Sequence, residues 1–265
     1  MAESIFIGDG DRFLPTEQAR GPWDPQALHG GAPAALIASA FERMQPGAEL
    51  HIARMSFELL RPIPLAPLTL STRIVRPGRR VQELAAELSA ADQTIVRASA
   101  LRVTAVPGDA ATAAPDSSSE LSESLAPPSD GAPIRFALDG GAEASFAGTA
   151  MEMRWLSDPR ELGPGRVWMR LRHPLLPGEP LTPLARLAAT ADFGNGVSAA
   201  LAFDRFVFIN ADLTIHLQRT PRGEWIGLDA RTLLLDDGTA TAEGVLHDER
   251  GPLGRAFQTL VVQAR

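Results

Sequence analysis

The sequence predicts an α+β protein in which one small unit is used twice, each unit a helix followed by a meander of long antiparallel strands. Three observations carry this reading. Arg61, Arg73 and Arg97 recur as Arg219, Arg231 and Arg255 at a constant spacing of 158 (219 − 61, 231 − 73, 255 − 97), with Leu59/Leu217, Leu70/Leu228, Leu88/Leu246, Ala98/Ala256 and Val103/Val261 in the same register. A gapless offset that holds from strand to strand marks a duplication. Helical and alternating patterns also succeed one another in the same order twice. Finally, residues 105–133 are rich in Ala, Pro, Ser and Asp and lack aromatic residues, so they cannot bury enough apolar surface to offset their ordering entropy. The expected division is residues 1–104, a mobile surface linker over 105–133, and residues 134–265.

Each element has its own signal. A helix is expected over 32–44, where APAALIASAFERM has Pro33 in its first turn and Gly47 beyond its end. Strands are expected over 52–60, 68–75, 81–90 and 94–103. In the second of these Leu68, Leu70 and Ile74 alternate with Thr69, Ser71 and Arg73. Pro77-Gly78 and Ala91-Asp92 supply turns. Beyond the linker, strands are expected over 134–138, 151–156 and 166–172, then a helix begun by Thr182-Pro183 and running to about Asp192. Four more strands follow, over 206–218, 225–235, 239–247 and 253–263. Leu213, Ile215 and Leu217 share one face, opposite Thr214 and His216.

Composition limits the chemistry. The 265 residues, 45% hydrophobic, suffice to bury one large core or two small ones. There is no cysteine and no tyrosine, and all 25 basic residues are arginine. That excludes a thiolate nucleophile, a Schiff base, a disulfide framework and a cysteine-ligated zinc. Acid–base work falls to Asp, Glu, His or a water that they orient. A phosphate-binding loop of the G-x-x-x-x-G-K-[ST] type needs a lysine, and Gly196-Val197-Ser198-Ala199-Ala200 lacks the last glycine of a nucleophile elbow. Histidines at 29, 51, 173, 216 and 247 show no metal-ligand spacing, so neither a metal nor a cofactor is expected. The net charge of −7 argues against nucleic acid as a partner. The opening MAESIFIGDG reads as neither a signal peptide nor a membrane segment, and the expectation is a cytoplasmic protein without stable membrane insertion.

The repeat singles out three polar residues. Extending the 158 register sets Asn210 opposite Ile52 and Gln258 opposite Ala100, while Asp192 falls near Ala34. Taken singly, Asp192 reads as a helix-end residue, Asn210 as a turn former and Gln258 as a structural amide. Taken together, they make the second unit the bearer of a site and the first its packing partner. Gln258 interrupts the apolar face formed by Ala256, Leu260 and Val262, where an unpaired amide would cost about 1–3 kcal/mol, so it should have a partner. His29-Gly30-Gly31, just before the first helix, is a further candidate. Its glycines allow close backbone approach, and first-turn N–H groups suit an oxyanion.

The blocks WDPQALHGGAPAALIASAFER and SFELLRPIPL, then ATADFGNG, NADLTIHLQRTPRGEWIGLDAR and GPLGRAFQTLVV, together resemble the acyl-CoA thioesterase II-type family. The resemblance covers most of the chain outside the linker and rests on the joint order of the blocks. It implies a double hotdog, two repeats each of a long helix wrapped by a curved antiparallel sheet, and hydrolysis of an acyl-CoA to a fatty acid and CoA. It further implies an Asp, a Ser or Thr, and a Gln that hold the attacking water. Asp192 and Gln258 match the first and last. Asn210 stands where the hydroxyl is expected, and an amide can accept from water or donate to a carbonyl but cannot relay a proton as a hydroxyl does.

Asp192, Asn210 and Gln258 are thus the expected catalytic residues, and His29, Gly30 and Gly31 the expected substrate-binding ones. A homo-oligomer is expected, since the remaining sheet edges need cover. The alternative is a non-catalytic acyl-CoA or lipid-binding hotdog protein, with Asn210 as its best argument. A hydratase, which would need an Asp/His pair, ranks lower because the second-unit helix offers no such pair.

Overall fold

The computed structural model describes residues 3–44, 50–104, 123–135 and 144–265. Among the described residues, thirteen strands form one antiparallel sheet, and two helices of more than one turn pack against it. The strands are β1 (Phe6–Asp9), β2 (Arg12–Pro15), β3 (Leu50–Leu59), β4 (Leu68–Arg76), β5 (Val81–Ala90), β6 (Gln93–Thr104), β7 (Met151–Trp155), β8 (Gly165–Leu171), β9 (Phe206–Asn210), β10 (Asp212–Leu217), β11 (Ile226–Leu234), β12 (Thr239–Asp248) and β13 (Gly251–Ala264). Their order is β1-β2-β4-β5-β6-β3-β10-β13-β12-β11-β8-β7, with β9 also paired to β13.

The 158 offset converts β4 into β11 and β5 into β12 at both ends of each strand. The same offset governs the middle of the sheet. Ser56 of β3 pairs with Thr214 of β10, which is its own equivalent (56 + 158), and the flanking pairs Arg54↔His216 and Glu58↔Asp212 exchange under the offset. The two central strands therefore meet about a local two-fold, as identical surfaces do in a symmetric dimer. Thr214 Oγ1 donates to Ser56 Oγ across it at 3.3 Å. Side chains on the inner face alternate as expected: Leu213, Ile215 and Leu217 are buried, and so are Leu68, Leu84, Leu88, Val96, Leu228 and Leu246.

The helices break the symmetry. Helix α1 (Gly31–Arg43) is 13 residues long and buried along most of its length by its alanines, Leu36, Ile37 and Phe41. Helix α2 (Pro183–Ala191) has only 9 residues. It begins as expected, with Thr182 Oγ1 accepting from the Ala185 N–H and Pro183 in the first turn, where its missing N–H costs nothing. It stops at Asp192, and a separate turn of helix follows at Gly194–Val197. A long helix in each unit was expected, and the second is cut short. Helices α1 and α2 pack against each other, and small residues on both let their backbones approach closely. A Cβ on Gly31 would lie 2.8 Å from the Ala189 carbonyl oxygen.

Three further differences from the sequence reading have local causes. The hairpin β1–β2 is too short for alternation to reveal it. It turns at Gly10 (φ +64°) and adds an edge to β4. Residues 206–218 are two strands rather than one: both pair with β13, but the register slips by one residue between Asn210↔Leu260 and Thr214↔Phe257, and from Ala211, whose carbonyl accepts from the Leu59 N–H, the chain gains β3 as a second partner. Of the expected linker, residues 105–122 lie outside the described residues. Residues 123–133 are fastened to the sheet: Trp168 Nε1 donates to Ala126 O at 2.7 Å, and Ala132 bridges Trp155. Of the expected strand 134–138, Ile134 and Arg135 are not in a strand, and the rest lies outside the described residues. Among the described residues no helix is long and apolar enough to cross a membrane.

Candidate active site

Asp192 caps the end of α2, and its side chain is about 7% exposed. It is pinned from three directions. Asn210, the last residue of β9, donates from Nδ2 to Asp192 Oδ1 at 2.9 Å. Gln258, in the middle of β13 and 2% exposed, donates from Nε2 to the Asp192 backbone carbonyl at 3.0 Å and lies 3.3 Å from Oδ1. Its Oε1 accepts the Asn195 N–H at 3.2 Å. The partner that the apolar setting of Gln258 demanded is thus the broken end of α2. Gly194 makes room, since a Cβ there would lie 2.5 Å from Gln258 Oε1. The structure brings the three residues singled out by the repeat into one bonded cluster, while their counterparts Ile52, Ala100 and Ala34 are buried and apolar.

The other side of Asp192 meets the loop before α1. His29 Nδ1 lies 3.0 Å from Asp192 Oδ2 and also 3.0 Å from the Gly31 N–H. The two contacts make opposite demands on one ring nitrogen: the Gly31 N–H needs a lone pair there, and an ionised Asp192 needs a hydrogen. The His29 ring lies flat on Phe193, with centroids 4.4 Å apart and planes at 28°, and 5.1 Å from the ring of Phe146. Gly30 leaves room for the carboxylate, since a Cβ there would lie 2.8 Å from Asp192 Oδ2. An Asp/His pair therefore exists, contrary to the sequence reading, which sought it only within the second-unit helix. Its members come from opposite sides of the linker, so no local spacing could reveal it.

His29, Gly30, Asp192, Phe193, Asn195, Asn210 and Gln258 line a pocket of about 410 Å³ between the loop 22–30, the end of β3, the break after α2, and strands β9 and β13, whereas Gly31, expected at the substrate, is not part of its wall. Most of its wall is apolar, from Leu59, Leu60, Ile63, Val207, Phe208 and Leu260. A mainly apolar cavity with a few convergent polar groups is the usual form of a small-molecule site. Two polar atoms in that wall have no partner among the described residues: Oδ1 of Asn210 and Oδ1 of Asn195, both buried. Sequence reasoning missed Asn195. In the run GNG it reads as a turn, and only the helix break turns it toward the pocket.

Residues 19–103 match the acyl-CoA thioesterase N-terminal domain and residues 118–262 the acyl-CoA thioesterase C-terminal domain. The chain belongs to the acyl-CoA thioesterase family, and it is a thioester hydrolase with a hotdog fold. Among solved structures, it is similar to a putative thioesterase II from Thermobifida fusca (19% identity, TM-score 0.72, 99% of this chain and 96% of that one). It is also similar to a hot dog fold protein of unknown function from Alicyclobacillus acidocaldarius (17%, TM-score 0.71, 98% and 96%). A third is acyl-CoA thioesterase II TesB2 from Mycobacterium marinum (15%, TM-score 0.65, 100% and 95%). At these identities the likeness is one of fold. No curated protein matches the sequence.

Proposed function

We propose that the chain hydrolyses an acyl-CoA to the free fatty acid and CoA in the pocket beside Asp192, using a water held by Asp192, Asn210 and Gln258. The observation that carries this reading is a buried carboxylate fixed by two side-chain amides in the wall of an apolar pocket, with unpartnered acceptors beside it. A thioester carbonyl is already electrophilic, so the protein needs only to position a water, favour loss of its proton, and offer donors to the developing oxyanion. The Oδ1 atoms of Asn210 and Asn195 are acceptors without donors, which suits the two hydrogens of a water. The charge on Asp192 favours removal of one of them. Water oxygen bonds to the carbonyl carbon, the C–S bond breaks, and the thiolate sulfur takes up the proton.

The departure at Asn210 fits this scheme. Its Nδ2 holds Asp192 while its buried Oδ1 has no partner among the described residues, so one amide can serve both tasks of orientation without relaying a proton. The acyl chain would lie along Leu59, Ile63, Phe208 and Leu260, where each buried methylene contributes about 0.8 kcal/mol. We assign the architecture as a double hotdog, with residues 1–104 a repeat whose site has been replaced by apolar residues, 105–133 the linker, and 134–265 the repeat bearing the site. The shared 158 offset and the self-pairing of Ser56 and Thr214 support that assignment. Thiol release from a panel of acyl-CoAs, acetyl to palmitoyl, tests the activity. Turnover of at least one member is expected, and turnover of none by the folded protein would overturn it.

A further inference from the structure

We propose that His29 is the general base of the hydrolysis, its imidazole taking the water's proton at Nε2 while Asp192 holds Nδ1–H. The proposal rests on the hydrolytic reading above and changes the part that Asp192 plays in it. Both carboxylate oxygens of Asp192 are already engaged: Oδ1 accepts from Asn210 and faces Gln258 Nε2, and Oδ2 faces His29 and is crowded by Gly30. A water beside that carboxylate therefore competes with these groups for its lone pairs, whereas His29 Nε2 has no such competitor among the described residues.

The competing demands on His29 Nδ1 are settled by magnitude. A hydrogen bond from Nδ1–H to an ionised carboxylate contributes roughly twice what a neutral N–H to nitrogen bond does, so the proton sits on Nδ1 facing Asp192 at the expense of the Gly31 contact. The Nε2 lone pair is then free. No hydrogen bond to Nε2 exists among the described residues, the ring lines the pocket, and Phe193 and Phe146 fix its plane. Base and orienting carboxylate thus stand in the relation that makes imidazole effective in acyl transfer. As the water oxygen bonds to the carbonyl carbon, its proton goes to Nε2, and the imidazolium, stabilised by Asp192, returns that proton to the departing thiolate when C–S breaks. Nothing is oxidised or reduced.

The experiment measures thiol release from the best acyl-CoA substrate across pH 5.5 to 9 for wild type, His29→Gln and His29→Ala, the last with and without added imidazole. His29→Gln is expected to lower kcat by about a hundredfold or more, the scale of a lost general base, with KM little changed. The acid limb of the wild-type kcat/KM profile should vanish with it, and imidazole should restore turnover to His29→Ala in proportion to its neutral form. The other charged groups lining the pocket are Asp192, Asp24 and Arg61, and of these only Asp192 touches the ring. Should neither variant fold, the wild type alone decides, since an imidazole limb moves to lower pH on warming and a carboxylate limb does not. Near wild-type turnover in His29→Gln, an acid limb that persists in it, failure of imidazole to rescue, or a limb insensitive to temperature would each overturn the proposal while leaving thioester hydrolysis standing. A wild type that turns over no thioester would instead remove the hydrolytic reading beneath it.

Discussion

Gly30 stands so close to the Asp192 carboxylate that a Cβ at that position would lie 2.8 Å from Oδ2 and 3.1 Å from Oδ1. Real contacts of a Cβ with an oxygen are longer, so Gly30→Ala must push the carboxylate away from His29 and Asn210. We expect activity to fall by tenfold or more, because sub-ångström displacements of reacting groups are costly, while stability falls by about 1–3 kcal/mol through overpacking. Steady-state kinetics beside urea unfolding of the same variant would check this. Equal activity in wild type and Gly30→Ala would show that the carboxylate's position is not critical.

Asn210→Asp places a second carboxylate 2.9 Å from Asp192 Oδ1, where the amide now donates. Two such groups cannot both ionise freely, so the pair shares a proton and one apparent pKa rises. Activity that needs the charge on Asp192 should therefore be low at neutral pH and recover as pH rises, moving the acid limb of the profile to higher pH. Asn210→Ser, which keeps a small polar group, should leave the limb where it is.

Gln258 joins three parts of the site at once. Gln258→Ala would leave the Asn195 N–H and the Asp192 carbonyl without partners and open a cavity, at a cost of about 2–4 kcal/mol. Gln258→Glu keeps the size but turns a donor into a carboxylate oxygen facing the oxygens of Asp192. The Glu variant is expected to lose more activity than its stability loss explains, which kinetics and thermal melts on both variants would show.

His247 offers a pH test away from the pocket. It is fully buried on β12, neither ring nitrogen has a partner among the described residues, and burial pushes its pKa down to about 4, with Arg166 and Arg219 adding to the shift and Asp248 opposing it. The ring is neutral when folded, whereas an unfolded chain protonates it near pH 6.5. Stability should thus drain away as pH falls from about 6.5 to about 4, by about 3 kcal/mol in all, and be unaffected above that window. His247→Leu, which gives up no hydrogen bond, should flatten that slope in urea unfolding at pH 4.5 and 7.5. An unchanged slope would place the acid sensitivity elsewhere.

The strands were legible because burial on one face imposes alternation, and because a duplicated unit repeats its alternation at a fixed distance. The 158 offset found in the arginines and leucines is the offset of β4 to β11 and of β5 to β12. It also made Asn210 and Gln258 visible, as polar residues where the other copy has Ile52 and Ala100. The offset fails at the helices, since α1 starts at Gly31 and α2 at Pro183. The break after Ala191, which brings Asn195 to the pocket, therefore left no trace in the periodicity. The pairing of His29 with Asp192 was hidden for a different reason: it is a contact between α1's entrance and α2's exit, and depends on the two helices lying side by side.

The central claim is that the charge on Asp192 drives thioester hydrolysis, and Asp192→Asn tests it most directly because it keeps the side chain's shape and removes only its charge. Thiol release from the acyl-CoA panel should fall by a hundredfold or more in this variant, with the folded state retained by thermal melting. Hydrolysis within a few-fold of wild type would contradict the account and place the chemistry at other residues.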